Sequence, residues 1–287
     1  MPKVTVDDGV EINYCVDDLT NPWDDVKDTI LIHHGAGEHS KYYIPMVPYL
    51  ARKYQVLRFD ARGRGGSTAP PEGSTLSGSA SDDSPTAIGE RCLKDSLSLM
   101  DQMGIDKVHW FGNAAGGWIG IHCAVEHPDR IKSLVLCGSP YKYSKERVLA
   151  RSFGEKNISA AVEKLGMSEW LKKVNLTAPN LDPLLAGTKL VEWDLAERRK
   201  IPAHVYARFY RYATRIDYSD WIPKIKCPTL ILVGAKSRVA PLEQQRFMEQ
   251  QIPNAKLVVF EEVGARIHTL MPERCAETIL DFLQTIA

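Results

Sequence analysis

The segment Trp110-Phe111-Gly112-Asn113-Ala114-Ala115-Gly116-Gly117 is where residue types and spacing bear most directly on chemistry. It follows a run of strand-forming residues and precedes the helical pattern Trp118 to Val125. Small residues on both sides of position 114 suit a strained strand-to-helix turn, where backbones pack closely and the central residue takes an unfavourable conformation. A nucleophile elbow of the Gly-x-Ser-x-Gly kind uses that geometry to expose a serine hydroxyl. Ala114 offers a methyl group instead, and an ordinary glycine-rich turn is the competing reading of this motif taken alone.

The elements that must position such a turn alternate in type. Short β-branched and aliphatic runs lie at Thr29 to His33, Gln55 to Phe59, Lys107 to Phe111, Ile131 to Leu136, Thr229 to Val233 and Lys256 to Phe260. Longer helical patterns separate them, which predicts a mostly parallel sheet covered on both faces. Lys3 to Val6 and Val10 to Val16 flank the turn signal Asp7-Asp8-Gly9, an antiparallel hairpin that brings the strands to eight. Leu93, Leu97 and Met100, then Cys275, Ile279, Phe282 and Leu283, have the spacing of helices that bury one stripe.

From about Ser144 to Trp221 helical patterns and Pro-marked turns (Pro179, Pro183, Pro202) interrupt the alternation, a helical cap inserted after the strand ending at Leu136. The expected organisation is core 1–143, cap 144–222 and core 223–287. Gly66 to Asp83, rich in Ser, Gly, Pro and Thr, reads as a loop.

Composition narrows the partners. Lys+Arg and Asp+Glu both number 36, so no long-range field recruits nucleic acid or an anionic membrane, and a small, roughly neutral organic ligand is expected. No run approaches the ~20 apolar residues that span a bilayer, and the first residues do not form a secretory signal. Six scattered cysteines without a Cys-x-x-Cys pair suit a reduced, cytoplasmic setting. No phosphate loop, dinucleotide fingerprint or metal-ligand spacing is present, so neither cofactor nor metal is expected. Oligomeric state is not legible.

Further motifs join the elbow: His33-His34-Gly35-Ala36-Gly37 after the third strand, Asp60-Ala61-Arg62-Gly63-Arg64-Gly65-Gly66-Ser67 after the fourth, and Pro228-Thr229-Leu230-Ile231-Leu232-Val233-Gly234 near the C-terminal part. Together they resemble the α/β-hydrolase superfamily, in the branch of small esterases, lactonases and carbon–carbon hydrolases similar to 3-oxoadipate enol-lactone hydrolase. The resemblance implies an α/β-hydrolase fold with an inserted helical cap. It places the nucleophile at Ala114, the acid at Ser237 (framed by Gly234 and Pro241) and the base at Ala265 (framed by Gly264 and Pro272). None of the three positions holds the group its role needs: a hydroxyl at 114, a carboxylate at 237 and an imidazole at 265. The resemblance also implies an oxyanion hole between the backbone N–H groups of Ala36 and Ala115, which do not depend on side-chain identity.

Replacements for the missing groups are few. His268 lies three residues beyond Ala265 and shares a face with it if the last helix begins there; a histidine satisfied at a helix start is the alternative. The resemblance has His34 either shape the oxyanion loop or line the pocket, where Gly35 is also expected. Glu38 and His39 reach the pocket mouth or stand in solvent. Cys137 reads as a buried thiol. Of the cap aromatics, Trp193 among them, two or three are expected to face a ligand, and the basic run Arg198 to Arg215 reads as a solvated face.

Three functions remain open at this point. The first is cofactor-free lyase, isomerase or cyclase chemistry on a small carbonyl compound held by the oxyanion hole. The second is a ligand-binding pseudoenzyme. The third is a serine ester, lactone or carbon–carbon hydrolase inactivated by mutation at 114, 237 and 265.

Overall fold

The computed structural model describes residues 1–6, 8–23, 27–72, 87–177 and 188–286. The hairpin residue at 7, positions 73–83 of the proposed loop and the prolines at 179 and 183 lie outside these.

Eight strands form one sheet: β1 (Lys3–Thr5), β2 (Glu11–Asp17), β3 (Thr29–His33), β4 (Gln55–Phe59), β5 (Val108–Asn113), β6 (Ile131–Cys137), β7 (Thr229–Gly234) and β8 (Ala255–Phe260). Their spatial order is β1-β2-β4-β3-β5-β6-β7-β8. β1 and β2 are antiparallel to their neighbours, and every pairing from β4 to β8 is parallel.

Ten α-helices follow the chain among the described residues: α1 (Val47–Leu50), α2 (Ala87–Gln102), α3 (Ala115–Glu126), α4 (Lys145–Ser152), α5 (Ile158–Thr177), α6 (Lys189–Arg199), α7 (Ala203–Ala213), α8 (Leu242–Gln251), α9 (Ile267–Leu270) and α10 (Pro272–Gln284). None is long and apolar enough to cross a membrane.

Strand alternation builds two cores. Leu31, Leu57, Trp110, Leu134 and Ile231 face α2 and α3, while their neighbours Ile32, Val56, Phe111, Val135 and Leu230 face α10. The stripe Cys275, Ile279, Phe282 and Leu283 is buried as the spacing predicts, and Pro272 at the first position of α10 gives up an N–H that the helix has no use for. In the order β4-β3-β5 the sheet changes winding direction, opening a crevice at the carboxyl ends of β3 and β5. His33 pairs with Gly112 there, so the loop after β3 and the turn after β5 leave the sheet side by side. Helices α4 to α7, all between β6 and β7 in the chain, supply the opposite wall of that crevice.

Candidate active site

The turn at Ala114 has the backbone of a nucleophile elbow. Ala114 sits at φ 47° and ψ −106°, one of two non-glycine residues with positive φ among the described residues. Such a conformation costs about 1–3 kcal/mol and persists only when its surroundings impose it. They do so here. A side chain on Gly112 would run into the backbone of Gly116 and Gly117, and one on Gly116 would strike the carbonyl of His33. The Ala114 N–H donates to Cys137 O at 2.9 Å, which holds the turn against β6.

Two backbone amides beside Ala114 are unengaged. The N–H groups of Ala36 and of Ala115 have no acceptor among the described residues, and both residues line the same cleft. Ala115 opens α3, so its amide belongs to the unsatisfied first turn and carries the positive end of the helix dipole. This arrangement can stabilise negative charge on a carbonyl oxygen, and it requires no side chain.

The carboxylate of Glu38 ties the loop that carries Ala36 to the residue before the elbow. Its Oε2 accepts hydrogen bonds from the Gly35 N–H (3.1 Å), the Tyr43 hydroxyl (2.6 Å) and Asn113 Nδ2 (2.8 Å). Its Oε1 lies 3.7 Å from His268 Nε2. Burial alone would raise this carboxyl, but His268, Arg266 and the Tyr43 hydroxyl together bring it down to about 2. Glu38 is therefore a buried anion that fixes the Gly35–Ala36 loop against the elbow, and the solvent-exposed alternative is corrected: only 6% of it is exposed.

The positions expected for acid and base hold other groups. Ser237 Oγ accepts from the Val239 and Ala240 N–H groups at 3.3 and 3.1 Å, so it fastens its own loop. Ala265 lines the cleft, and Arg266 beside it ion-pairs with Asp194 of α6 at 2.7 Å. Asp194 also accepts from the Tyr42 hydroxyl (2.8 Å) and Arg198 Nε (3.0 Å), joining helix α6 to the core.

His268 does not line the cleft. Helix α9 begins at Ile267, not at Ala265, so the shared helical face on which its candidacy rested does not form. Its ring is fully buried, stacked on Tyr43 with centroids 4.7 Å apart. His34 lines an adjacent, predominantly apolar cavity. Its Nε2 accepts the Ala61 N–H at 2.8 Å, which leaves Nδ1 as the donor to Gly35 O at 2.7 Å. Both nitrogens are thus committed to joining the loops after β3 and β4, and burial pushes the imidazole down to about 4. His39 lies 3.3 Å from Glu197 and does not line the cleft; Trp193 packs on Tyr42 and His39 instead of facing it. Gly35 does line it. Cys137 is a buried thiol whose ionisation is pushed up by its Cys275 contact and by burial.

The cleft holds a cavity of about 120 Å³, and its far wall comes from the cap helices. Trp170, Tyr206, Phe209 and Tyr210 reach it, more aromatics than the two or three expected. Arg147, Arg151 and Tyr143 also line it and were missed, because α4 reads as an ordinary polar helix. The recoverable signal was the i, i+4 spacing of Arg147 and Arg151, which puts both guanidinium groups on one face. Arg198 is in the cleft too, a correction to the solvated face expected for it. Among the described residues no group of three or more His, Cys, Asp or Glu is placed to hold a metal ion.

Comparisons with known proteins agree with this fold. The profile of the α/β-hydrolase fold family matches residues 28–268. The 2-hydroxy-6-oxo-6-phenylhexa-2,4-dienoate hydrolase of Burkholderia cepacia is 27% identical over 271 residues, covering 88% of this chain and 86% of that protein. A 2-hydroxy-6-oxononadienedioate/2-hydroxy-6-oxononatrienedioate hydrolase of Paraburkholderia phymatum is 26% identical over 264 residues, covering 90% and 87%. The crystal structure of the enol-lactonase from Burkholderia xenovorans LB400 superposes with a TM-score of 0.82 at 23% identity, covering 99% of this chain and all of that one. Profile, relatives and fold agree: the chain belongs to the α/β-hydrolase fold family.

Proposed function

We propose that this protein performs cofactor-free, non-hydrolytic chemistry of the lyase, isomerase or cyclase type on a small carbonyl compound. The observation that carries this reading is the pairing of a strained elbow at Ala114 with two unengaged amides, Ala36 and Ala115, beside a side chain that cannot attack. An oxyanion hole without a nucleophile favours reactions in which the electron pair reaching the carbonyl oxygen comes from a bond within the substrate. The cleft also restricts which reactions those are. Among the described residues no imidazole or thiol lines it, and the two carboxylates that do, Glu38 and Asp194, are held as anions by their partners. The hydroxyls of Tyr143 and Tyr210, kept neutral mainly by burial, are the available proton donors.

The lack of an unengaged base supports a second reading, a ligand-binding protein that uses the same amides to hold a carbonyl and converts nothing. Both readings expect residual ester hydrolysis no better than about 10³- to 10⁴-fold over water, the level that oxyanion stabilisation and binding leave when a triad is absent.

Infrared spectroscopy tests the shared premise. A neutral methyl ketone labelled with carbon-13 at its carbonyl should show, when bound, a stretch displaced to lower frequency than in water. An undisplaced stretch in the bound ketone removes the oxyanion hole from the account. Conversion of carbonyl compounds, followed by mass spectrometry without added cofactor, then separates enzyme from binder.

A further inference from the structure

Four arginines line the cleft, and they divide into two unlike pairs. Arg198 and Arg266 share Asp194, at 3.0 and 2.7 Å. Arg147 and Arg151, one turn apart on α4, face each other's charge, and no carboxylate among the described residues pairs with either. Arg151 is only 3% exposed, and no guanidinium nitrogen of it has a hydrogen-bond partner among the described residues; its Nη2 is fully buried. Arg147 donates one hydrogen bond, from Nη1 to Val239 O at 3.1 Å, while its Nε is buried and unpartnered. The guanidinium of Arg147 lies 5.0 Å from the centroid of the Tyr143 ring. Burial and the neighbouring Arg151 both work against the charge on Arg147, with Tyr143 and Tyr210 partly offsetting them.

Leaving buried charge unpaired is costly, and natural structures pair it or neutralise it. A guanidinium does not readily lose its proton, so the missing partner has to be an anion. From the lining of the cleft we infer that Arg147 and Arg151 form a carboxylate-binding subsite, and that the ligand of this cleft is an oxo acid. A carboxylate suits the planar forks of two arginines, which bind it through paired N–H donors. Its single charge suits a cleft that already contains the anions Glu38 and Asp194. The small neutral ligand suggested by the balanced overall charge gives way to an organic anion, because the local excess of arginine is invisible in a whole-chain sum.

This inference rests on the proposed function for the carbonyl part of the ligand and is independent of it for the acid part. Thermal shift and isothermal titration calorimetry test the acid part, using straight-chain 4-oxo acids, their methyl esters and inorganic phosphate on the intact protein. The acids should raise the melting temperature and bind at least about 10-fold more tightly than the esters. Arg151→Met and Arg147→Met should each weaken acid binding by about 10- to 100-fold, as expected for losing a charge-assisted hydrogen-bonded partner, and leave ester binding unchanged.

Ligand-free Arg151→Met should melt no lower than wild type, because it removes an unpaired buried charge. A lower melting temperature for both Arg151→Met and Arg151→Gln would make Arg151 a structural residue and overturn the subsite. So would equal binding of acids and esters, a response to phosphate alone, or no response to any acid. Acid binding that survives alongside an undisplaced ketone stretch would keep the subsite and reject the oxyanion function; the opposite pair of results would do the reverse.

Discussion

Glu38 and Asn113 meet at 2.8 Å, Oε2 to Nδ2, and this hydrogen bond joins the loop after β3 to the residue immediately before the elbow. The same oxygen accepts from Tyr43 and Gly35, so truncation strands three buried donors. Glu38→Ala is expected to destabilise the fold by about 3–5 kcal/mol, as for breaking a buried ionic network. Glu38→Gln keeps a carbonyl oxygen for those donors and should cost less. Urea unfolding of both variants checks the order. A Glu38→Ala variant as stable as wild type would show that the network does not tie that loop to the elbow.

Acidic pH should act through the same carboxylate. Its folded value of about 2 lies below the ordinary 4.5, so its stabilising contribution is fully present above about pH 5 and disappears as pH falls through 2. Wild type should therefore lose more stability across that window than Glu38→Gln, measured by denaturant midpoints at stepped pH. Parallel curves for the two proteins would contradict this.

The elbow supplies a prediction of opposite sign. Ala114 pays for φ 47° with strain of about 1–3 kcal/mol, whereas glycine tolerates that region and costs about 0.4–1 kcal/mol through the unfolded chain. Ala114→Gly should then stabilise the protein by roughly 1 kcal/mol, read as a higher melting temperature. A lower one would mean that the surroundings do not impose the conformation.

His34 and its neighbour His33 govern the range above that of Glu38. Burial holds His34 at about 4 and His33 at about 3, both below the 6.5 of an exposed imidazole. In the unfolded chain these rings take up protons first, so stability is complete above about pH 6.5 and falls as pH descends toward 4. His34→Gln, which cannot titrate, should flatten that part of the pH–stability curve while lowering its plateau through the lost Ala61 and Gly35 bonds. An unchanged slope between pH 6.5 and 4 would show that His34 is not the neutral, committed ring described above.

The fold was legible in the sequence because it rests on local periodicity. The runs from Thr29 to Phe260 and the stripe Cys275 to Leu283 occur in the structure within about two residues of their expected ends. Ala36, Ala114 and Ala265 were found through the glycines and prolines framing them, since those residues answer to backbone geometry. Glu38, Asp194, Arg147 and Arg151 are different. Each depends on a partner far along the chain, or on the lack of one, as with Asp194 against Tyr42 and Glu38 against Asn113. His268 misled for a related reason: its role hinged on whether a helix began at 265 or at 267, and a two-residue shift moves a side chain about 200° around a helix.

If positions 114, 237 and 265 are those of a lost triad, restoring its side chains should restore hydrolysis. Serine at 114 would inherit an elbow already at its strained angles, beside two unengaged amides. The loop at 237 already uses a side-chain oxygen to accept from Val239 and Ala240, and an aspartate can take over that role while presenting a second oxygen. Position 265 lines the cleft. Ala114→Ser alone should gain little, because a hydroxyl without an imidazole remains protonated at neutral pH. The triple variant Ala114→Ser, Ser237→Asp, Ala265→His should hydrolyse p-nitrophenyl acetate at least about 10²-fold faster than wild type, a modest part of the roughly 10⁶ that a complete triad is worth. It should also react with a fluorophosphonate, which wild type should not. A triple variant no faster than Ala114→Ser would mean that Arg266, drawn to Asp194 beside position 265, holds that loop where no histidine can reach the serine. Adding Asp194→Asn to that variant would then be expected to release the loop.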